Sequence, residues 1–104
     1  MEKYTFCMQL KPGRMEEYRQ RHDEIWPELV ELLKETGIED YSIHFHPTTN
    51  QLFGVLLRTS NHSMAALPEH PVMKAWWVHM ADLMECNADK SPVVQDLTQV
   101  FYLP

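Results

Sequence analysis

The chain has 104 residues and a mass of 12.3 kDa, enough for one modest hydrophobic core and not for two. Hydrophobic residues make up 44% and charged residues 23%, ordinary globular proportions that exclude wholesale disorder. A balance of 9 Lys+Arg against 15 Asp+Glu gives a net charge of −6, which disfavours nucleic acid and anionic membrane surfaces as partners. No apolar run is long enough to span a bilayer, and Met1 to Leu10 lack the layout of a signal peptide. Cys7 and Cys86 are too few for a disulfide framework, so a reduced, cytoplasmic setting is expected. With no repeat, linker or low-complexity tract, the expectation is a single domain over residues 1–104.

The first element is a strand, because Tyr4, Phe6, Met8 and Leu10 alternate with other residues and share one face. Pro12-Gly13 breaks it and starts a helix whose apolar stripe runs Met15, Tyr18, His22, Ile25, Leu29 and Leu32. Pro27 interrupts this pattern, since it cannot donate to the Asp23 carbonyl and disfavours helical geometry at Trp26. Either the helix kinks there or Pro27 starts a second piece. Gly37 ends the helical run as a left-handed residue would. Tyr41 to His46 then alternate as a second strand, Pro47 to Asn50 turn, and Leu52 to Leu57 form a third. Asn61 is placed to cap a short helix ending near Pro68, and Pro71 to open another that continues to Met84. After a polar loop from Asn87 to Pro92, the tail from Leu97 to Leu103 reads as a last strand. The order β-α-β-β-α-β is the ferredoxin-like α+β pattern. Helices on one face of such a sheet leave the other bare, so a homodimer of the dimeric α+β-barrel kind is expected.

Chemistry is concentrated on the helical stripe. Tyr18 and His22 lie one helical turn apart and project from the same face toward the sheet. An imidazole there is either a core residue satisfied by a carbonyl or a proton-transfer group in a cleft, for which its ordinary pKa suits it. Trp76 and Trp77 point about 100° apart on a helix, so one belongs to the core and the other to a rim. The stripe Met73, Met80, Met84 takes in Trp77, which is therefore expected to be the more buried. An indole wall also suits the C–H face of a sugar. His44 and His46 share a strand face and begin a weak metal pattern that no Cys pair or carboxylate completes, so no metal ligand is assigned. With Gly13, Gly37 and Gly54 as the only glycines there is no phosphate loop, and there is no Gly-x-Ser-x-Gly elbow. No cofactor is expected, and bare proton transfer fits the inventory.

The segment Tyr18-Arg19-Gln20-Arg21-His22-Asp23-Glu24-Ile25-Trp26-Pro27-Glu28-Leu29 resembles the L-rhamnose mutarotase family, as do Tyr41, Trp76-Trp77 and the ending Val100-Phe101-Tyr102-Leu103-Pro104. The resemblance runs nearly end to end. It implies a cofactor-free homodimer with the dimeric α+β-barrel fold that interconverts the α and β pyranose anomers of L-rhamnose. By position, it implies His22 as proton donor, with Tyr18, Tyr41, Trp76 and Trp77 binding the sugar. His44 and His46 are outside that pattern, and the partner base is not evident; water, His79 and Asp82 are the candidates. Met8 and Phe6 are suited to line a pocket for the sugar's methyl group. Two other readings stand beside it: a dimeric-barrel monooxygenase-like enzyme, and a non-catalytic domain that binds a small ligand.

Overall fold

A computed structural model describes residues 1–104. Strand β1 (Glu2–Gln9) is followed by helices α1 (Met15–Asp23) and α2 (Pro27–Glu35), strands β2 (Ile38–Phe45) and β3 (Gln51–Arg58), helix α3 (Pro71–Met80) and a two-residue strand β4 (Gln95–Asp96). The strands pair antiparallel in the order β2-β3-β1-β4, which agrees with the ferredoxin-like pattern read from the sequence.

Alternation in the central pair decides which face becomes core. Phe6 and Met8 of β1 lie opposite Gly54 and Leu52 of β3 and face the helices. Cys7 pairs with Phe53, and Thr5 with Val55, on the other face. Gly54 is required by this register, because a Cβ there would collide with the Phe6 ring. Leu10, Leu29, Leu52, Leu56 and Leu83 are the most completely buried side chains and join the sheet to α2 and the segment after α3.

The helical stripe is two helices. Trp26 is extended, with φ −67° and ψ 133°, and Pro27 opens α2 at its first position. Of the two readings of Pro27, the second piece is the one the chain adopts, since a first-turn proline forfeits no hydrogen bond. Gly37 has φ +102°, and a Cβ on it would press on Thr59 and His62, so its place after α2 demands glycine.

Strand β2 starts at Ile38, before the expected Tyr41, and ends at Phe45, which leaves His46 outside it, and three further boundaries depart from expectation. The segment before α3 is a 3₁₀ turn over Met64–Glu69 preceded by Ser63, not a helix capped by Asn61. The His62 imidazole, through Nδ1, accepts from the Met64 N–H there. Helix α3 stops at Met80 and tightens into a 3₁₀ turn over Ala81–Leu83, short of the expected Met84. The tail from Leu97 to Leu103 is not a strand. Its last ladder bond is Leu97 N–H to the Thr5 carbonyl, after which the chain leaves the β1 edge. Val100, Phe101, Tyr102 and Leu103 are all exposed.

Candidate active site

Between the helix-facing side of the sheet and the helices lies a cavity of about 850 Å³ with an open mouth. His22, Tyr18, Tyr41, Trp76 and Trp77 all line it, so the fold brings together every residue singled out for the site. Phe6 and Met8 contribute apolar wall from β1.

Helix α1 places the first two. Tyr18 is its one buried side chain, and the His22 ring lies one turn further on, 4.4 Å from the Tyr18 ring between centroids. His22 Nδ1 is 3.1 Å from the Tyr18 carbonyl oxygen. A carbonyl only accepts, so the proton of the neutral ring resides on Nδ1 and the Nε2 lone pair is left without a protein partner. Burial lowers the His22 pKa from its ordinary value, opposed by the Tyr18 carbonyl and the Asp23 charge, so the neutral ring is the resting form. Burial drives the Tyr18 pKa well above the phenol range, which keeps that group a neutral hydrogen-bonding hydroxyl.

The tryptophans reverse their expected order. Trp76 is buried at 6% exposure and Trp77 is only half-buried. Because α3 ends at Met80, Met84 is not on the helix, and the inward face is Met73, Trp76 and Met80. The Trp76 indole meets the His22 imidazole edge-on, with centroids 5.4 Å apart, and also meets Trp26 at 5.1 Å. Trp26 therefore backs the wall, a role its position in a break between helices did not reveal.

Tyr41 reaches the mouth through a bulge. The β2–β3 register shifts between Glu39 and Ser42, and Asp40 takes φ 49°. The Tyr41 ring then sits 6.1 Å from that of Phe6 and stays 38% exposed. Tyr4 was missed as a site residue. It lines the same cavity, stacks on Phe6 at 5.4 Å, and donates from its hydroxyl to Asp96 at 2.5 Å. Burial and that carboxylate push the Tyr4 phenol up to about 12. Its alternation with Phe6 was the available signal.

Of the candidate partner bases, one is engaged elsewhere and one lies at the surface. The Asp82 carboxylate is held by Arg21, whose guanidinium keeps its pKa below the ordinary carboxylate value. His79 is exposed, with its ring 5.5 Å from Trp76 and from Trp26. The strand histidines have local duties instead: His44 Nε2 is 3.0 Å from the Ser42 hydroxyl, and His46 Nδ1 accepts from Thr48 and Thr49 in the turn. No group of three or more His, Cys, Asp or Glu side chains gathers in a metal-holding arrangement.

Comparison with known proteins bears on the family and the fold. The family model for L-rhamnose mutarotase matches residues 3–103. An L-rhamnose mutarotase from Agrobacterium fabrum is 64% identical over 104 residues, covering 100% of this chain and 97% of that protein. One from Brucella anthropi is 63% identical over 99% of this chain and 97% of its own. The crystal structure of an L-rhamnose mutarotase from Formosa agariphila superposes with a TM-score of 0.92 at 39% identity, covering 100% of both chains. With the match spanning the helix of His22, the bulge of Tyr41 and the paired tryptophans alike, the chain belongs to the L-rhamnose mutarotase family.

Proposed function

We propose that residues 1–104 form one mutarotase domain, an isomerase that interconverts the α and β pyranose anomers of L-rhamnose, with His22 as its proton donor. Full-length identity to named L-rhamnose mutarotases supports the substrate. The observation that carries the mechanism is His22 itself: the residue lines the cavity, and with Nδ1 at the Tyr18 carbonyl its Nε2 has no protein hydrogen-bond partner.

Mutarotation breaks the bond between the anomeric carbon and the ring oxygen and remakes it on the other face of the aldehyde. The anomeric hydroxyl must lose a proton and the ring oxygen must gain one. Both oxygens are bonded to the same carbon, so one nitrogen facing that carbon serves both. In its resting neutral form, Nε2 takes the anomeric proton as the ring bond breaks and donates it to the departing ring oxygen. The open-chain aldehyde then turns about the bond to its neighbouring carbon. On closure, Nε2 takes the hydroxyl proton back and returns it to the new anomeric oxygen, leaving the enzyme unchanged. Positioned acid–base groups of this kind contribute about 10²–10⁴-fold.

The remaining residues hold the sugar. Trp76 and Trp77 offer indole surface to its C–H groups, while the Tyr18 and Tyr41 hydroxyls pair with its hydroxyls. Phe6 and Met8 supply apolar surface for the methyl group. No metal or organic cofactor has a step to perform in this scheme.

The protein acts as a homodimer in this reading. The sheet face away from the helices carries Phe53 and Val55, and the tail presents Phe101 and Leu103 at 75% and 80% exposure. Apolar surface of this extent on so small a chain suits burial against a second copy. No helix is long and apolar enough to cross a membrane. The free thiols of Cys7 and Cys86 suit the reduced cytoplasm.

The direct test of the activity is polarimetry on freshly dissolved crystalline α-L-rhamnose. The protein should speed the approach to the equilibrium rotation in proportion to its concentration, with no metal added and chelator present. A relaxation at the buffer rate at every protein concentration would refute the assignment, and binding without acceleration would favour a ligand-binding domain. Light scattering should give twice the chain mass; a chain mass of 12.3 kDa in solution would refute the dimer.

A further inference from the structure

Helix α1 carries the proton-transfer group yet is weakly embedded. Tyr18 is the only one of its nine residues to be buried. The chain before it turns through Gly13 at φ +78°, and the chain after it leaves helical geometry at Trp26. Neither end continues into a neighbouring helix, so the rotation of α1 about its own axis depends on its side chains. Tyr18, with Met15 partly buried one turn before it, anchors one end of the helix to the core. The polar attachment is Arg21, next to His22 in sequence. Its Nη1 donates to the His79 carbonyl at 2.5 Å and to Asp82 Oδ1 at 2.8 Å, and its Nη2 donates to Asp82 Oδ2 at 3.2 Å and to Glu17 at 3.0 Å. These bonds tie α1 to the end of α3, the helix that supplies Trp76. The Arg21 side chain is only 19% exposed, and its planar fork matches the carboxylate with both nitrogens.

We infer that Arg21 and Asp82 are positioning residues for the mutarotase reaction, a clamp that fixes the rotation of α1 and so aims His22 Nε2 into the cavity against the Trp76 wall. The inference rests on the proposed role of His22. It also gives Asp82 a different part from that of partner base: its carboxylate acts through Arg21 and not on the sugar. A lysine in place of Arg21 keeps the charge but cannot span two carboxylate oxygens and a carbonyl together, so the clamp is specific to the guanidinium.

The test compares wild type, Arg21→Lys, Asp82→Asn and His22→Ala in L-rhamnose anomer exchange, with thermal melting and NMR titration of the His22 ring. Asp82 lies largely at the surface, and its Asn variant leaves the Arg21 bond to the His79 carbonyl available, so that variant remains folded. Both clamp variants should lower kcat roughly tenfold, below the hundredfold that a full ångström of misplacement can cost, with KM within about twofold. The His22 titration should move up toward the ordinary histidine value, because a turned ring is less buried. The titratable groups beside the ring, Asp23 and Tyr18 on α1, and His79 beside Trp76 on α3, are unchanged in Asp82→Asn. Folded variants with wild-type kcat and an unmoved His22 titration would overturn the clamp, whatever their melting temperatures. Activity retained in His22→Ala would instead sink the role of His22, and the titration would still report whether Arg21 and Asp82 set its surroundings.

Discussion

Helices α1 and α3 face each other across the site and are held in different ways. Helix α3 buries Met73, Trp76 and Met80, whereas α1 fully buries Tyr18 alone, packs Met15 partly against the core, and is otherwise polar, with Glu16, Glu17, Arg19 and Arg21 among its residues. The proposed sugar wall thus belongs to an element packed into the core, and the proposed proton-transfer group to one held by fewer apolar contacts and by the hydrogen bonds of Arg21. Burial of an apolar stripe sets which face of a helix turns inward, and a bidentate guanidinium adds a directional restraint on that rotation. A sugar wall needs the first kind of support. An imidazole that must meet two oxygens on one carbon needs the second.

The contrast is sharpest in the tryptophans. Trp76→Ala removes a buried indole and should destabilise the fold by about 3–5 kcal/mol in chemical denaturation, while the half-buried Trp77→Ala should cost clearly less and mainly raise KM. Equal losses of stability would mean that α3 is not oriented by its Met73–Trp76–Met80 face. Removing hydroxyls is a smaller perturbation. Tyr18→Phe and Tyr41→Phe should each weaken rhamnose binding by about 1 kcal/mol, several-fold in KM, with melting nearly unchanged. A loss of stability without a change in KM would return Tyr18 to a purely structural part on α1.

The mildest probe is pH. In the proposed mechanism the resting enzyme needs the Nε2 lone pair, so kcat/KM should be flat through neutrality and fall in acid, with its midpoint below the ordinary histidine value of 6.5. Stability follows the same sign. The unfolded imidazole binds a proton more readily than the folded one, so the contribution of His22 is lost as pH falls through 6.5 and below. A profile that rises as the solution is acidified would show that the imidazolium is the form that starts the reaction.

Much of the site was legible because the informative residues are periodic. Tyr18 and His22 lie one helical turn apart, and Tyr4, Phe6 and Met8 alternate, so helix and strand geometry alone put them on the surfaces that meet. What escaped the sequence depends on where regular structure stops. Trp76 and Trp77 were ordered by a stripe extended to Met84, but α3 gives way at Met80, and the inward face turns with it. Tyr41 was placed in the site by the resemblance, and what no local pattern announces is the bulge at Asp40 beside it. The tail alternates like a strand, yet beyond Leu97 the β1 edge of this chain offers it no further partner. The Arg21–Asp82 contact joins residues 61 apart in sequence and has no short-range signature.

The central claim is that one imidazole moves the proton between the anomeric and ring oxygens. Saturation-transfer NMR between the two anomeric signals of L-rhamnose, with wild type and His22→Ala at equal concentration, tests it most directly. The account predicts fast exchange with wild type and a loss of about 10²–10⁴-fold in the variant, whose melting stays close to wild type. Exchange by a folded His22→Ala protein at the wild-type rate would contradict it.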